Sequence, residues 1–434
     1  MDIISLIKDL PLDLQYIVIN YDPLTLFHIL SISELTKYDW FRLIKMNFSL
    51  SYSRETSTNH DIMKVYLDYC DGVRSRVTCG GHYTIIKCRD GTLMSCGNKW
   101  DRNYAVPMKY VFEEIRGIPK NIVEVSNGHY HSIIRLTDGT LMGCGNNEYG
   151  QLGLGHEINV EVWKEIKGIP KNIKKVICYG DYSIILLVDG TLMGCGSNYD
   201  GQMGFGDRDK KKVFEEIKGI PRDIVQIACG AHIIIKLKDG TLMGCGKNLF
   251  GQLGFEDGLV RTLFEEIKKI PKNIMKVACG VDHTMILLAD GTLMGCGNND
   301  HGELGLGDRR DRNIFEEIKG IGKNIADVIC GYEYTFIKLT DGTLMSCGAN
   351  SIGQLGCGDF GDRNMFKEVK GIGKKVEEVI CDCNHTVIRL IDGTLMSCGY
   401  NMFGQLGLEG RDNRNVFEEI KQINFIEKKL NNKV

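Results

Sequence analysis

The phrase Asp-Gly-Thr-Leu-Met occurs seven times in this chain of 434 residues, and its regular recurrence limits the possible folds more than any other feature. Successive copies are 48 to 51 residues apart, and their aspartates are Asp90, Asp138, Asp189, Asp239, Asp290, Asp341 and Asp392. A fixed period near 50 residues is typical of propellers and solenoids, in which each unit buries its apolar surface against the next. The sequence therefore predicts a repeat architecture over most of its length.

One unit shows which elements repeat. Residues 224–230 alternate enough to predict a strand, residues 232–237 predict a second strand, and the pair Asp239-Gly240 predicts a tight hairpin with a type I′ turn. Residues 241–246 and 262–270 predict a third and a fourth strand, separated by a glycine-rich loop. Seven four-stranded antiparallel units predict a mainly β fold, a seven-bladed β-propeller, because radial closure removes exposed sheet edges.

Seventeen cysteines are distributed through the repeats rather than paired. Seven occupy one slot of the unit, six more end another strand, and equivalent slots lie too far apart for disulfides. We interpret them as buried structural thiols, and so many free thiols favour a reducing, intracellular compartment. The close pair Cys381 and Cys383 lacks the second half of a zinc motif, so no metal ligands are predicted.

A second recurring slot holds histidine in four units and tyrosine in three, namely Tyr83, His131, Tyr182, His232, His283, Tyr334 and His385. The alternative is that these histidines form a circle of metal ligands or catalytic groups. Tyrosine is a poor substitute for a histidine that binds zinc, but a good substitute for one that acts as a packed aromatic side chain with a polar tip. The Gly-Gln-Leu-Gly loops lack the Lys-Ser/Thr of a phosphate loop. We therefore predict no cofactor and no enzymatic activity.

Net charge and hydropathy exclude some partners. The formal net charge is −3, so the chain lacks the overall positive charge typical of nucleic-acid-binding proteins. No segment has the roughly 20 apolar residues of a membrane span. We expect neither a membrane nor a nucleic acid as partner. The start of the chain places Lys8 and Asp9 where a signal peptide would be apolar, so no secretory signal is predicted.

The repeats resemble the regulator-of-chromosome-condensation repeat, which forms seven-bladed propellers. The resemblance rests on the His/Tyr slot, the Asp-Gly-Thr phrase and the Gly-Gln-Leu-Gly loop, and it covers residues 73–424. WD and kelch repeats fit less well. The first unit lacks Gly-Gln-Leu-Gly and suits the closing seam of the ring. Cysteine replaces the family's usual tryptophan in all seven units, which argues against tryptophan-based light sensing of the kind found in plant ultraviolet receptors.

The first seventy residues do not share the repeat and predict three short amphipathic helices, a small all-α module. They resemble an F-box through Leu10, Pro11, Asp13, Leu14, Val18, Ile19, Asp22, Pro23, Lys37 and Trp40. That resemblance implies binding to the Skp-type adaptor of a cullin-RING ubiquitin ligase through Leu10, Pro11, Leu14, Ile17, Val18, Pro23, Leu26 and Trp40. The alternative is a helical cap that packs on a blade. The predicted domains are 1–70, 71–424 and a tail, 425–434.

The variable loops that follow Gly-Gln-Leu-Gly are expected at one rim of the propeller. They contain the basic residues Arg208, Lys210, Lys211, Lys212, Arg309, Arg310, Arg312, Arg363, Arg411 and Arg414. A charged protein surface is the partner that such loops favour, although mixed charge is also typical of a plain solvated surface.

Together these features predict a non-catalytic substrate-recognition adaptor of a cullin-RING ligase, cytoplasmic or nuclear, whose propeller binds an unidentified target protein. Two alternatives stay open. One is nucleotide exchange on a Ran-like small GTPase, which the repeat family implies, although the inserted hairpin and basic arm linked to that activity are missing. The other is a structural or virion-associated binding protein. Only seven alanines occur, a bias typical of AT-rich genomes such as those of giant viruses or protists, and a viral origin would place the protein in a host cell.

Overall fold

A computed structural model describes residues 38–43, 58–59, 62–63, 76–88, 91–98 and 109–423 of the chain. Its 28 strands form seven four-stranded sheets, and every neighbouring pair of strands within a sheet is antiparallel. Each sheet is one blade, and its strands follow each other in sequence order. The predicted class, a mainly β propeller of seven four-stranded blades, is confirmed.

The first four blades have the following strands. Blade 1 contains β1 (Val77–Cys79), β2 (Tyr83–Lys87), β3 (Leu93–Gly97) and β4 (Lys109–Glu114). Blade 2 contains β5 (Ile122–Asn127), β6 (His131–Leu136), β7 (Leu141–Gly145) and β8 (Val160–Ile166). Blade 3 contains β9 (Ile173–Tyr179), β10 (Tyr182–Leu187), β11 (Leu192–Gly196) and β12 (Lys211–Glu216). Blade 4 contains β13 (Ile224–Cys229), β14 (His232–Leu237), β15 (Leu242–Gly246) and β16 (Arg261–Glu266).

The last three blades repeat the same plan. Blade 5 contains β17 (Ile274–Cys279), β18 (His283–Leu288), β19 (Leu293–Gly297) and β20 (Arg312–Glu317). Blade 6 contains β21 (Ile325–Cys330), β22 (Tyr334–Leu339), β23 (Leu344–Gly348) and β24 (Arg363–Glu368). Blade 7 contains β25 (Val376–Cys381), β26 (His385–Leu390), β27 (Leu395–Gly399) and β28 (Arg414–Glu419). The four strands predicted for the unit in blade 4 are all present; the second has its predicted bounds, and the first, third and fourth are shorter than predicted.

The first strand of each blade is the innermost, and these strands form a closed ring, because β1 contacts both β5 and β25. The seam between blades 1 and 7 is sealed by one apolar cluster that includes Val77 and Leu406. Gln422 adds two hydrogen bonds across it, since its Nε2 donates to the carbonyl of Phe112 at 2.8 Å and its Oε1 accepts from the Phe112 amide at 2.9 Å. The first unit therefore lies at the closing seam, as predicted.

The core of the propeller lies between blades rather than at one centre. In a representative layer, Ile184 and Met203 of blade 3 pack against Ile233 and Phe264 of blade 4, and all four are buried. Each blade thus buries its own apolar face only by contact with its neighbours, which is why the repeat must close on itself.

The Asp-Gly hairpins differ in type from the prediction. A type I′ turn needs positive φ at both central residues, but among described residues other than glycine only Lys269 has positive φ. In blade 4 the amide of Gly240 donates to the carbonyl of Leu237 at 3.0 Å, and Gly240 has φ +88°. The connection is therefore a three-residue loop, a type I turn followed by a glycine bulge. The Asp239 side chain caps it by accepting from the Thr241 amide at 2.9 Å.

Little of the N-terminal seventy residues belongs to the described part, so the predicted all-α module lies mostly outside it, as do the proposed domain boundaries at 70/71 and 424/425. Residues 40–43 and 421–423 are helical. Within the described ranges, no helix has the length and apolar character needed to cross a membrane.

Candidate protein-binding face

Successive antiparallel hairpins place the connections of each blade at two opposite faces. One face, called the GQLG face below, carries the first-to-second and third-to-fourth strand connections; the latter are residues 146–159, 197–210, 247–260, 298–311, 349–362 and 400–413 in blades 2–7. The Asp-Gly hairpins and the connections between blades lie at the other face, called the hairpin face. All predicted basic rim residues therefore lie on or directly beside the GQLG face.

The Gly-Gln-Leu-Gly loop is held by the following blade. In blade 4 the carbonyl of Gln252 accepts a hydrogen bond from Thr284 Oγ1 at 2.7 Å and another from Cys296 Sγ at 3.5 Å, both in blade 5. The Gln252 Oε1 accepts from the Phe250 amide at 3.1 Å, which closes the turn. Equivalent thiol and hydroxyl bonds recur around the ring, for example from Cys398 to Gln354 at 3.5 Å. The repeated residues of this loop therefore have a structural role, because they hold the GQLG face rigid.

The His/Tyr slot also joins neighbouring blades. His232 Nε2 lies 2.7 Å from Thr284 Oγ1, and since that hydroxyl gives its proton to the Gln252 carbonyl, the imidazole must be the donor. Burial lowers the pKa of His232 and of His283 to about 3, so both rings are neutral near pH 7. In tyrosine units the phenol performs the same task, as Tyr334 does by donating to the carbonyl of His385 at 2.9 Å. The structural interpretation of this slot is confirmed.

The repeated thiols are structural as well. All sixteen cysteines of the described part are free, and most are buried. Burial is the first cause that raises the pKa of Cys195, Cys245 and Cys296 well above the usual value, so these thiols stay protonated and are poor nucleophiles.

One cavity of about 190 Å³ opens between blades 4, 5 and 6 on the GQLG face. Its lining combines aromatic rings with carboxyl groups and consists of Phe250, Val281, Asp282, Asn298, Asp300, His301, Glu303, Tyr332 and Glu333. The Lys247 ammonium reaches one of these acids, Asp282, at 2.9 Å. His301 bonds to Asp362 at 2.9 Å, and this bond is the first cause that raises the pKa of the imidazole.

Glu303 is the unusual residue of this cavity, because it stands in the slot that holds glutamine in five other blades. It is buried; its Oε2 accepts from the His301 amide at 3.0 Å, and its Oε1 has no hydrogen-bond partner in the described part of the chain. In blade 4 the corresponding Gln252 Nε2 donates to Asp282 at 2.7 Å. An ionised Glu303 has no proton to donate in this way. Burial, and to a lesser extent the negative charge of Glu333, raise the pKa of Glu303 to about 7.

Several predicted basic rim residues form ion pairs with acidic residues of the propeller itself. Arg312 and Arg363 each pair with an aspartate four residues earlier, both at 2.8 Å, and their side chains are 14% exposed. Lys211 makes the same kind of pair with Asp207 at 2.8 Å, and Arg414 pairs with Glu418 at 2.9 Å. Their role in these positions is to hold the start of the outer strand.

The other basic rim residues are more accessible. Lys210 and Lys212 both contact the Glu157 carboxylate, at 2.8 and 2.9 Å, so these two lysines share one counter-charge. Arg411 lies over the Tyr110 ring with 4.9 Å to its centroid, and Arg309 is 3.7 Å from Asp362. Arg208 and Arg310 are exposed and form no ion pair among the described residues.

Exposed apolar side chains mark the same face, and the sequence analysis did not single them out. Six large apolar residues of the third-to-fourth strand loops are each more than half exposed, namely Ile158, Tyr199, Leu249, Leu259, Phe360 and Met402. Scattered exposed apolar residues are normal, but their recurrence in the loops of five blades is typical of an interaction surface. They could have been noticed in the sequence because their positions are irregular within repeats that are otherwise constant.

Of the predicted adaptor-binding residues, only Trp40 belongs to the described part. Its side chain is fully buried and its amide donates to Asn59 Oδ1 at 2.9 Å. Leu10, Pro11, Leu14, Ile17, Val18, Pro23 and Leu26 lie outside the described residues.

Comparison with known proteins identifies the family. The family model of the RCC1-like domain matches residues 170–433, and two models of the regulator of chromosome condensation (RCC1) repeat match residues 122–151 and 138–186. The chain is similar to the ultraviolet-B receptor UVR8 of Arabidopsis thaliana, with 30% identity over 60% of this chain and 49% of the receptor. It is also similar to the probable E3 ubiquitin-protein ligase HERC4 of Homo sapiens, with 32% identity over 62% of this chain and 27% of the ligase.

The chain thus spans less than half the length of these two relatives. Among solved structures, Prp20p of Saccharomyces cerevisiae superimposes with a TM-score of 0.68 at 17% identity, covering 81% of this chain and 89% of Prp20p, a likeness that shows the fold. Because the match to the RCC1-like domain extends over more than half of the chain and coincides with the propeller blades, this protein belongs to the RCC1-like domain family.

Proposed function

We propose that this protein is a non-catalytic interaction scaffold that binds a target protein on its GQLG face and recruits a Skp-type adaptor through its first seventy residues. In this arrangement the propeller would present the target to a cullin-RING ubiquitin ligase. The observation that carries the target-binding half is the concentration of exposed apolar side chains beside an acidic cavity on one rigid face. Interfaces combine apolar and aromatic anchors with a polar rim in this way.

The cavity indicates what the target offers. Four carboxyl groups and two aromatic rings line it, and its 190 Å³ equals about six waters at roughly 30 Å³ each, room for one guanidinium or ammonium group. A cation there would pair with Glu303, whose ionised form the fold otherwise disfavours, and would lie against the rings of Phe250 and Tyr332. We therefore expect a lysine or arginine side chain of the target to enter this cavity.

The adaptor half of the proposal rests on the sequence. The Leu-Pro-x-Asp-Leu start and the following apolar spacing match the F-box pattern, and an amphipathic helix can bind a hydrophobic groove through residues three and four apart. A relative named as a probable E3 ubiquitin-protein ligase is 32% identical over 62% of this chain, which supports a link to ubiquitin transfer. The free thiols support an intracellular, reducing location for this work.

The adaptor half is tested with purified components. Immobilised Skp-type adaptor is exposed to the parent chain and to a Leu14→Ala, Ile17→Ala double variant, and binding is followed by biolayer interferometry. We expect binding by the parent and at least a tenfold loss in the double variant, with unchanged circular dichroism. Equal binding by both chains, or none by the parent, would contradict the proposal.

The target half is tested by comparing the two faces. A Leu249→Ser, Phe360→Ser variant alters exposed GQLG-face residues, and Ile391→Ser, which is 67% exposed on the hairpin face, is the matched control. Proteins captured from the natural host cell by the parent and by the control, but not by the double variant, are the expected targets. If all three chains capture the same proteins, the GQLG face is not the binding face.

Nucleotide exchange on a Ran-like small GTPase is the second candidate, because the repeat family implies it and Prp20p, which shares the fold, was characterised for binding to Gsp1p and histones. The assay is release of a fluorescent GDP analogue from a Ran-type GTPase. Release at the intrinsic rate with the parent chain would exclude it. Target binding without adaptor binding or exchange would leave a structural or virion-associated binding protein.

A further inference from the structure

The innermost residues of the propeller surround its axis at the GQLG face. One residue in each blade, just after the first strand, forms this ring, and the ring consists of Gly81, His129, Gly180, Ala231, Val281, Tyr332 and Cys383. Backbone hydrogen bonds connect neighbours around it, as from the His129 amide to the Gly180 carbonyl at 2.9 Å and from the Val281 amide to the Tyr332 carbonyl at 3.1 Å. The His129 and Tyr332 rings, from blades 2 and 6, stack across the axis with centroids 6.3 Å apart.

The residue before each ring position is glycine in five blades, for a steric reason. A Cβ on Gly331 would lie 2.1 Å from Cζ of the Tyr334 ring, and one on Gly280 would lie 2.2 Å from Cε1 of His283. Two blades differ, because blade 3 has Tyr179 there and blade 7 has Asp382. Its amide is 3.5 Å from the carbonyl of His385, whereas the same bond in the five glycine blades measures 2.7 to 2.9 Å. Asp382 therefore weakens the hairpin that it belongs to.

The Asp382 carboxyl group is also poorly satisfied. Its Oδ1 accepts a long hydrogen bond from Cys383 Sγ at 3.7 Å, and its buried Oδ2 has no hydrogen-bond partner in the described part of the chain. A buried polar oxygen without a partner is unfavourable, and its presence in a native fold calls for an explanation such as a bound ion. Blade 7 thus combines a long backbone hydrogen bond with a buried carboxyl oxygen that has no partner in the described part of the chain.

We propose that His129, Asp382 and Cys383 bind one divalent transition metal ion of the zinc class at the axis of the propeller. A ring nitrogen, a carboxylate oxygen and the sulfur of these residues all lie within 4.8 Å of one another. Zinc ligands at about 2.0 to 2.3 Å from the metal stand roughly 3.5 Å apart in a tetrahedron, so small side-chain rotations suffice. The three residues supply the nitrogen, oxygen and sulfur ligands that zinc sites use.

The ligand set selects the ion and predicts what binding does. A thiolate favours zinc and other soft ions over magnesium and calcium. Binding requires Cys383 to release its proton to solvent, and it gives Oδ2 of Asp382 a partner. With three protein ligands, a fourth position is left for water or for a group of the bound target. Because His129 belongs to blade 2 and the other two ligands to blade 7, the ion would clamp the ring across blade 1 and its seam.

The sequence alone did not suggest this site, and the proposal differs from the expectation that no metal is bound. The pair Cys381 and Cys383 lacked the second half of a zinc motif in the sequence, because the histidine that meets Cys383 is 254 residues earlier in the chain and approaches it only when the ring closes. The feature of the sequence that could have indicated the site is Asp382, which occupies a position that is glycine in five other blades.

The test uses the full chain, freed of metal by a chelator and kept reduced. Cobalt(II) is titrated into it, and the sulfur-to-cobalt charge-transfer absorption and the bound metal per chain are measured; zinc is then added in competition. We expect one ion per chain with thiolate absorption that zinc removes, and zinc should raise the melting temperature of the parent.

Three variants decide the outcome. Cys383→Ser should lose the absorption, and Cys381→Ser, which changes a neighbouring thiol that the site does not use, should keep it. Asp382→Gly restores the residue of five other blades, so it should fold at least as well as the metal-free parent and still bind zinc at least tenfold more weakly. Absence of thiolate absorption in the parent, or the same absorption and zinc affinity in parent, Cys383→Ser and Asp382→Gly, would overturn the proposal.

Discussion

Replacement of Glu303 by glutamine tests how the repeat controls the cavity. In blade 4 the amide of Gln252 donates to Asp282 at 2.7 Å, whereas in blade 5 the corresponding acid faces Glu333 and has an oxygen without a partner. Glu303→Gln is nearly isosteric and gives the slot a donor. We therefore expect the variant to be more stable than the parent at neutral and alkaline pH.

The magnitude follows from the pKa. Burial raises the pKa of Glu303 from 4.5 to about 7, so the folded chain holds this proton more tightly than the unfolded chain. Stability is therefore lost as the pH rises from 4.5 through 7, and the full loss at higher pH is about 3 kcal/mol. Glutamine cannot ionise, so the variant avoids this loss, and its bond to Glu333 adds about 1 kcal/mol. Below pH 4.5 the two chains should converge.

The assay is urea unfolding followed by circular dichroism at pH 5, 6.5 and 8. His301, Glu333 and Asp282, the titrating groups around the slot, are present in both chains, so the difference between the chains isolates Glu303. Gln252→Glu is the matched reverse change and should destabilise the chain at pH 8, because it removes the donor to Asp282. The reasoning is refuted if Glu303→Gln has the unfolding midpoint of the parent at pH 8, or if the difference between them does not depend on pH.

Three further predictions concern the repeat itself. Gly331→Ala should lower the free energy of unfolding by about 2 kcal/mol or more, because the added Cβ would clash with the Tyr334 ring. Gly371→Ala is the control: open space surrounds Gly371, so the variant should lose only about 1 kcal/mol because of the positive φ at this position. Urea unfolding measures both changes. His283→Tyr should fold, and it should lose less stability than the parent as the pH falls from 6.5 toward 3, because burial lowers the pKa of His283 to about 3; unfolding midpoints at pH 7 and 4.5 measure the difference. Most thiols should react with a disulfide reagent only after unfolding, as counted by absorbance; rapid reaction of the native chain at most of them would contradict their buried positions.

The blades could be predicted from the sequence because each strand has a local signal that seven copies reinforce. Residues 232–237, a largely apolar segment just before the Asp-Gly pair, were predicted as the second strand of blade 4 with its observed bounds, and Ile233 to Ile235 are buried in its middle. The turn type was wrong because Asp-Gly suits two hairpins, and the choice depends on the φ of Asp239, which the sequence does not reveal. The His/Tyr slot was interpreted correctly because substitution by tyrosine carries chemical information.

The candidate sites were harder to predict, since they depend on contacts between blades. The mixed-charge loops drew attention to Arg312 and Arg363, but an aspartate four residues earlier neutralises each of them, a pairing that needs the loop conformation. Glu303 was visible as a variant of the loop motif, yet its raised pKa comes from burial that only the packed cavity reveals. His129 and Cys383 meet only through ring closure.

A repeat protein contains its own reference, because each slot occurs seven times in the same chain. A residue that departs from its slot and weakens the fold is therefore informative in a way that an isolated oddity is not. Glu303 replaces a hydrogen-bonding glutamine, and Asp382 stands where five other blades have a glycine packed against a neighbouring ring. Both departures are acids, both have an oxygen without a partner among the described residues, and both lie on the GQLG face. If stability alone shaped these positions, the residues of the other blades would serve better. Their common location supports the proposal that the propeller binds its partners on the GQLG face.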